Sequence, residues 1–184
     1  MNDNAADRLR ETTIGSEQIY EGKIVGLQVD DVELPGGRRS AREIVVHRGG
    51  VAAVAVTDKW EVLLVRQWRH PARKVLLELP AGTLEEGEAS EVTLRRELIE
   101  EVDHHAGAIE HLGDIYTSPG YCTEVIGLYL ATELEPAAGA GDDDETIEVV
   151  RIPFKEALQM CRDGGIRDGK SVAGLFLAAA RLGV

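Results

Sequence analysis

Alternating apolar and polar residues near the N-terminus predict a pair of antiparallel strands. Within residues 23–34 the alternating apolar positions are Ile24, Leu27, Val29 and Val32. Alternation of this kind places the apolar side chains on one face of a strand. Pro35, Gly36 and Gly37 then predict a turn, and residues 40–47 predict the returning strand. We therefore predict an N-terminal β segment over residues 17–48, preceded by a flexible arm over residues 1–16.

The remaining residues, 49–184, mix short apolar strands with three helices. Short apolar or alternating runs predict strands over residues 51–56, 61–68, 76–79, 109–116, 126–134 and 147–152. Apolar stripes at helical spacing predict helices over residues 88–102, 153–162 and 171–182. Strands and helices in this order indicate an α+β fold or an α/β/α sandwich with mainly antiparallel hairpins. The order of the strands in the sheet stays open.

Composition and charge exclude several classes of partner. The chain has 184 residues, 43% of them hydrophobic, which suits one domain of ordinary size. No apolar run approaches the roughly 20 residues that a membrane-spanning helix needs, so we expect no membrane partner. A formal net charge of −13 disfavours nucleic acid, which requires a basic face. Only two cysteines occur, Cys122 and Cys161, and they predict buried thiols in a reducing cytoplasm.

Three carboxylates on the helix over residues 88–102 are candidate metal ligands. Glu97, Glu100 and Glu101 are three and four residues apart, and this spacing brings side chains together on a helix. Like charges at that spacing repel one another, and a bound cation removes the repulsion. Mg²⁺ takes oxygen ligands and bridges carboxylates to substrate phosphates. The competing interpretation is that the same residues coat a solvated helix face.

The residues around this helix resemble the Nudix box, whose pattern is G-x5-E-x7-R-E-U-x-E-E-x-G-U, with U a bulky aliphatic residue. Seven positions are in register: Gly82, Glu88, Arg96, Glu97, Leu98, Glu100 and Glu101. The resemblance implies a Nudix-type α/β/α sandwich with a mixed central sheet, formed by residues 49–184 as the catalytic domain. Asp103 and His104 depart from the pattern, since glycine and an aliphatic residue are expected there. Asp tolerates the left-handed conformation that often ends a helix, so Asp103 is expected to act as a C-cap.

The resemblance also implies a role for each residue of the box. Glu97 and Glu101 are the expected principal Mg²⁺ ligands, with Mn²⁺ able to substitute. Glu100 completes the cluster or holds a water, and the carbonyl of Ala81 is a further ligand. The residues expected to support these ligands are Gly82, Glu88 and Arg96, the last two by pairing with each other or with Glu97.

Residues outside the box resemble the ADP-ribose pyrophosphatase subgroup of this family. The segments concerned are residues 42–49, 65–71, 118–121 and the acidic Glu124. The implied reaction is hydrolysis of ADP-ribose to AMP and ribose 5-phosphate. The alternatives are another nucleoside diphosphate sugar such as GDP-mannose, a nucleoside triphosphate, or a ligand-sensing module without turnover. The subgroup is homodimeric, so residues 17–48 are expected to pack against a partner and to share residues across the active site.

Candidate residues for substrate and proton transfer are less specific than the box. Arg42 and Arg69 are expected to hold phosphates, because a guanidinium matches phosphate oxygens. Glu124 is the candidate acceptor for a ribose hydroxyl pair. Surface solubility for the arginines and a plain loop carboxylate for Glu124 are the alternatives. The expected general base is Glu145 and then Asp143 in an acidic loop, with Glu100 as the alternative.

Overall fold

The computed structural model describes residues 7–138 and 146–184. Its contacts divide the chain into two compact units. The N-terminal unit contains the residues up to Arg48 together with residues 118–124, and the main unit contains residues 49–117 and 125–184. In the parts of the chain described, no helix is long and apolar enough to cross a membrane.

The N-terminal unit is built on a three-stranded antiparallel sheet in the order β1-β2-β3. Its strands are β1 (Thr12–Glu21), β2 (Val25–Glu33) and β3 (Arg39–His47). The turn between β2 and β3 has Gly36 at φ +96° and Gly37 at φ +84°, a left-handed backbone that glycine adopts without strain. The predicted antiparallel pair and its turn are therefore confirmed.

The predicted arm over residues 1–16 is too long, because β1 begins at Thr12. All ten residues of β1 are exposed. The strand has no buried face, so its sequence lacks the alternating pattern by which a half-buried strand is predicted. The backbone pairing with β2, from Thr12 opposite Glu33 to Glu21 opposite Gly26, defines it instead. Pairing between strands is a tertiary property that a local pattern cannot show.

The main unit is built on a mixed seven-stranded sheet. Its strands are β4 (Gly50–Val56), β5 (Glu61–Arg69), β6 (Lys74–Glu78), β7 (Ala81–Thr83), β8 (His104–Tyr116), β9 (Val125–Pro136) and β10 (Ile147–Pro153). The order is β10-β5-β4-β9-β8, with β6 paired to β5 and β7 paired to β4. The β4–β9 pair is parallel and the other pairs are antiparallel.

Three helices cover the two faces of this sheet and complete an α/β/α sandwich. They are α1 (Ser90–Val102), α2 (Phe154–Asp163) and α3 (Gly169–Leu182). Leu94 and Leu98 of α1 pack with one set of buried strand residues. Phe154 of α2 and Leu175 of α3 pack with the other set. Burial of each such side chain contributes about 1.5–3 kcal/mol, so the apolar helix stripes attach the helices to the sheet.

Near the box, the start of the helix and the start of the following strand differ from the predicted positions. Helix α1 begins at Ser90, so Glu88 lies in the preceding loop. Strand β8 begins at His104, five residues before the predicted start of the strand at residue 109. Helix α1 ends because Asp103 adopts φ +56° and donates its backbone N–H to the carbonyls of Ile99 and Leu98. The predicted C-cap at Asp103 is confirmed.

Replacing Asp103 by valine is expected to lower the free energy of unfolding by about 1–2 kcal/mol. A β-branched residue is strained at φ +56°, whereas Asp tolerates this conformation. Asp103→Gly is the matched control, and we expect it to be at least as stable as the original chain. The urea midpoints of the three proteins provide the measurement. Equal midpoints for the valine and glycine variants would contradict the backbone argument.

Both cysteines are free thiols, and each is partly exposed rather than buried as predicted. Cys122 lies in the N-terminal unit, where it forms a β-bridge with Val45. Cys161 lies in α2, and burial raises the pKa of its thiol although Arg162 opposes the shift. Cys161 packs against the apolar core of the main unit without being fully buried.

Candidate active site

The start of the box lies on a short strand that the sequence pattern did not reveal. Strand β7 pairs with the beginning of β4, with Ala81 opposite Ala52 and Gly82 opposite Val51. A Cβ atom built on Gly82 would lie 1.9 Å from Oε1 and 2.4 Å from Cγ of Glu97. The carboxylate of Glu97 therefore occupies the space that any larger residue at position 82 would need.

Glu101 is the most buried carboxylate of the box. It is 8% exposed, and its Oε2 accepts a hydrogen bond of 2.8 Å from the backbone N–H of Ala81. Glu97 and Glu101 are four residues apart on α1, so both reach toward β7 from one face of the helix. Helix α1 thus brings two carboxylates to the backbone of residues 81 and 82.

Arg96 links three of the acidic residues of the box. Its Nη1 lies 2.9 Å from Oε1 of Glu97 and 2.8 Å from Oε2 of Glu100. Its Nη2 is 3.7 Å from Oε2 of Glu88, which also accepts a 2.7 Å hydrogen bond from the hydroxyl of the buried Thr93. Burial alone would lower the pKa of Arg96, but the neighbouring carboxylates outweigh burial and raise it. Arg96 therefore offsets the repulsion within the cluster.

The donor set fits a hard divalent cation held in an open site. Helix α1 supplies carboxylate oxygens beside the backbone of β7, and Mg²⁺ and Mn²⁺ bind carboxylate and carbonyl oxygens. Within residues 7–138 and 146–184, no group of three or more acidic, histidine or cysteine side chains is arranged to hold a metal ion by itself. Mg²⁺ does not need one, because it keeps several waters and uses one or two carboxylates together with substrate phosphates.

A buried ionic network next to this site was missed by the sequence analysis. Glu78 is 1% exposed and accepts hydrogen bonds from Nε and Nη2 of Arg69 at 2.8 and 3.0 Å. Lys170 also donates to Glu78, and it lies 3.0 Å from Asp168. Burial would raise the pKa of Glu78, but Arg69 and Lys170 outweigh this and lower it. One feature of the sequence indicates this network: Glu78 is a charged residue within the otherwise apolar run of residues 75–80. A charged side chain is buried only when it is paired with a partner.

The other predicted substrate residues lie in the N-terminal unit. Arg42 in β3 forms a two-pronged hydrogen bond to Glu11, at 2.9 Å from Nε and 2.6 Å from Nη2. Glu124 lies 3.4 Å from Nδ1 of His47. Arg42 and Glu124 therefore each face a charged or titratable neighbour within their own unit.

The predicted general bases fall in different places. Glu145 and Asp143 lie outside the described residues. Glu100, the alternative, has a side chain that is 27% exposed and bonded to Arg96. Of the three candidate bases, Glu100 is therefore the one that lies within the described residues, and it stands beside the carboxylate cluster.

Comparison with protein families decides the family of this chain. The NUDIX domain model matches residues 46–174, which is more than half of the chain. The chain belongs to the Nudix family. A second model, the nucleoside diphosphate sugar hydrolase N-terminal domain, matches residues 11–45. The family assignment made from the box is confirmed, and with it the assignment of this chain as a Nudix hydrolase.

Several relatives resemble this Nudix protein over most of its length. The methanol dehydrogenase activator of Bacillus methanolicus is 46% identical over 165 residues, covering 88% of this chain and 89% of the relative. The ADP-ribose pyrophosphatase of Bacillus subtilis is 42% identical over 165 residues, covering 89% of each. The GDP-mannose pyrophosphatase of Cronobacter sakazakii is 42% identical over 146 residues, covering 73% of this chain and 75% of the relative.

A solved structure described as an ADP compounds hydrolase has the same fold. It matches with a TM-score of 0.84 and 24% sequence identity, and the match covers 95% of both chains. The predicted Nudix-type α+β fold, with a mixed sheet and an antiparallel N-terminal segment, is confirmed by this match and by the strand order of the main unit.

Proposed function

We propose that this Nudix protein hydrolyses ADP-ribose to AMP and ribose 5-phosphate and uses Mg²⁺, for which Mn²⁺ can substitute. The observation that carries the proposal is the convergence of Glu97 and Glu101 on the backbone of β7. An ADP-ribose pyrophosphatase that is 42% identical over 89% of this chain supports the choice of substrate. One water adds across the pyrophosphate, and each product keeps one phosphate.

The residues that would hold the metal are Glu97, Glu100, Glu101 and the carbonyl of Ala81. When bound, the cation neutralises pyrophosphate oxygens and acidifies a water molecule. Arg96 orients Glu97 and Glu100 through its 2.9 and 2.8 Å contacts. A carboxylate then removes the proton from the attacking water, and Glu145 is our first candidate, before Asp143 and Glu100.

Two arginines and one glutamate are proposed to bind the substrate. Arg69 and Arg42 would hold phosphate oxygens, and Glu124 would accept hydrogen bonds from a ribose hydroxyl pair. Arg69 is held by the buried Glu78, which lowers the rotational freedom of the guanidinium before substrate arrives. Such preorganisation reduces the entropy lost on binding.

A substrate panel tests the proposal. Hydrolysis in Mg²⁺ would be compared for ADP-ribose, GDP-mannose, ADP-glucose, NADH, diadenosine polyphosphates and deoxynucleoside triphosphates. We expect ADP-ribose to lead in kcat/KM by about tenfold or more, since selective polar contacts contribute at least 1.4 kcal/mol. A different leading substrate would overturn the choice of ADP-ribose and keep the hydrolase mechanism.

GDP-mannose is the second candidate substrate, because one relative of this chain is a GDP-mannose pyrophosphatase. Its match covers 73% of the chain, compared with 89% for the ADP-ribose pyrophosphatase, so ADP-ribose is preferred. The panel separates the two, since each leaves a different mononucleotide, GMP or AMP, that chromatography resolves.

We also propose that the protein is a cytoplasmic homodimer that pairs through its N-terminal unit. Strand β1 is an edge strand of the sheet, and all ten of its residues are exposed. The exposed side chains include the apolar Ile14, Ile19 and Tyr20. An exposed edge with apolar residues is a surface that proteins normally cover. The two free thiols are in keeping with a reducing compartment.

Light scattering after gel filtration tests the dimer. We expect twice the chain mass of 20.0 kDa for the original protein and a shift toward the single mass for Ile19→Asp. An aspartate at this edge introduces a charge that an interface would have to bury. Val92→Asp, an exposed site in the first turn of α1 in the main unit, is the control. A single mass of 20.0 kDa for the original protein would overturn the proposed dimer.

A further inference from the structure

The segment from Glu78 to Ala81 is anchored at every residue. The Glu78 carboxylate is bound by Arg69 and Lys170. The N–H of Leu79 donates to Oγ of Ser171 at 2.8 Å, and the carbonyl of Pro80 accepts from Ala53 N–H at 3.0 Å. The N–H of Ala81 donates to Oε2 of Glu101 at 2.8 Å.

Two of these anchors come from the first turn of α3, which is 92 residues away along the chain. Asp168 caps this helix by accepting from Ser171 N–H at 3.0 Å, and it also pairs with Lys170 at 3.0 Å. Lys170 is 9% exposed and Ser171 is fully buried. A single capping carboxylate therefore orients both side chains that reach the segment.

The packing of α3 leaves this segment little room to shift. A Cβ atom on Gly174 would lie 2.7 Å from Cδ1 of Leu79, so the helix backbone approaches Leu79 closely. Leu79 is itself 1% exposed. Movement of the segment toward α3 is blocked by this contact, and movement away breaks the hydrogen bond to Ser171.

We propose that Lys170 and Ser171 are positioning residues for the metal site, because they hold the segment that ends at Ala81 beside Glu101. This inference rests on the proposed function, in which Ala81 and Glu101 are ligands. Neither residue touches substrate or metal in this proposal. They act through residues 78–81, so their loss loosens the backbone ligand without removing any ligand.

Mn²⁺ titration of the protein without substrate, followed by electron paramagnetic resonance of the free ion, tests the inference directly. We expect Ser171→Ala and Lys170→Met each to raise the Mn²⁺ Kd by about tenfold, the size typical for residues that orient metal ligands. Lys170→Arg keeps the charge opposite Glu78 and is expected to restore most of the affinity. The kcat for ADP-ribose should fall with the metal affinity.

Controls separate positioning from a loss of stability. Leu158→Ala, a buried site in α2, is expected to lower the thermal midpoint without changing the Mn²⁺ Kd. If Lys170→Met alone does not fold, the double variant Glu78→Gln with Lys170→Met replaces it in the titration, because it removes both charges of the Lys170–Glu78 pair. A Kd within twofold of the original in folded Ser171→Ala, with a lowered thermal midpoint, would overturn the inference. No Mn²⁺ binding by the original protein would overturn the inference, whereas no metal-dependent hydrolysis in the substrate panel would overturn the proposed function as well.

Discussion

Glu101→Gln is expected to lower kcat for ADP-ribose by about three orders of magnitude while leaving the fold intact. The change removes one negative charge from the carboxylate cluster, and metal-assisted charge stabilisation contributes several kcal/mol to the reaction barrier. The glutamine oxygen can still accept the hydrogen bond from Ala81 N–H, so the contact between α1 and β7 is kept. Steady-state kinetics in saturating Mg²⁺ measure the effect, and circular dichroism verifies the fold.

The control for this prediction is Glu86→Gln, which removes one charge from an exposed residue of the loop before α1. Glu86 is not among the ligands that the box implies, so kcat is expected to stay within about twofold, as for most exposed substitutions. A Glu101→Gln protein that keeps more than a tenth of the original kcat would show that this carboxylate does not hold the catalytic metal.

Gly82→Ala is expected to lower kcat by about 100-fold, because it displaces Glu97. The new Cβ atom would lie 1.9 Å from Oε1 and 2.1 Å from Cδ of that side chain. The side chain of Glu97 is the more mobile partner, so it moves away while the backbone of β7 keeps its pairing with β4. A ligand misplaced by about 1 Å costs about two orders of magnitude in rate. Rates measured at increasing Mn²⁺ concentration would also show weaker metal activation.

Gly169→Ala is the matched control for Gly82→Ala. A Cβ atom at position 169 meets no other atom within 4 Å, and the residue begins helix α3. Alanine favours a helix more than glycine does, so we expect unchanged kcat and equal or higher stability. Equal activity of Gly82→Ala and the original protein would mean that catalysis does not require the contact between Glu97 and β7.

The local parts of the structure could be predicted because their causes lie in neighbouring residues. The turn at Gly36 and Gly37, the helix that carries Glu97 and the left-handed cap at Asp103 depend on backbone preference and on short-range periodicity. The spacing of the box also placed its carboxylates on one helix, which is enough to identify the family. None of these features needs contacts between distant segments.

Elements without a local pattern could not be predicted. Strand β7 has only three residues and exists through its pairing with β4. Strand β1 is exposed along its whole length, and only the pairing with β2 defines where it begins. The pattern likewise began the next strand at residue 109, because it cannot show that β8 starts at once after the cap at Asp103.

By itself, the sequence determined the family, the carboxylate-bearing helix and the acidic character of this protein, since these depend on residue types at fixed spacing. Only the tertiary structure decided that Glu97 lies against Gly82 and that Glu101 binds Ala81 N–H. It also decided that Lys170 reaches Glu78 from 92 residues away. Such contacts arise when the sheet and helices pack, and a buried charge finds its partner only in that packing.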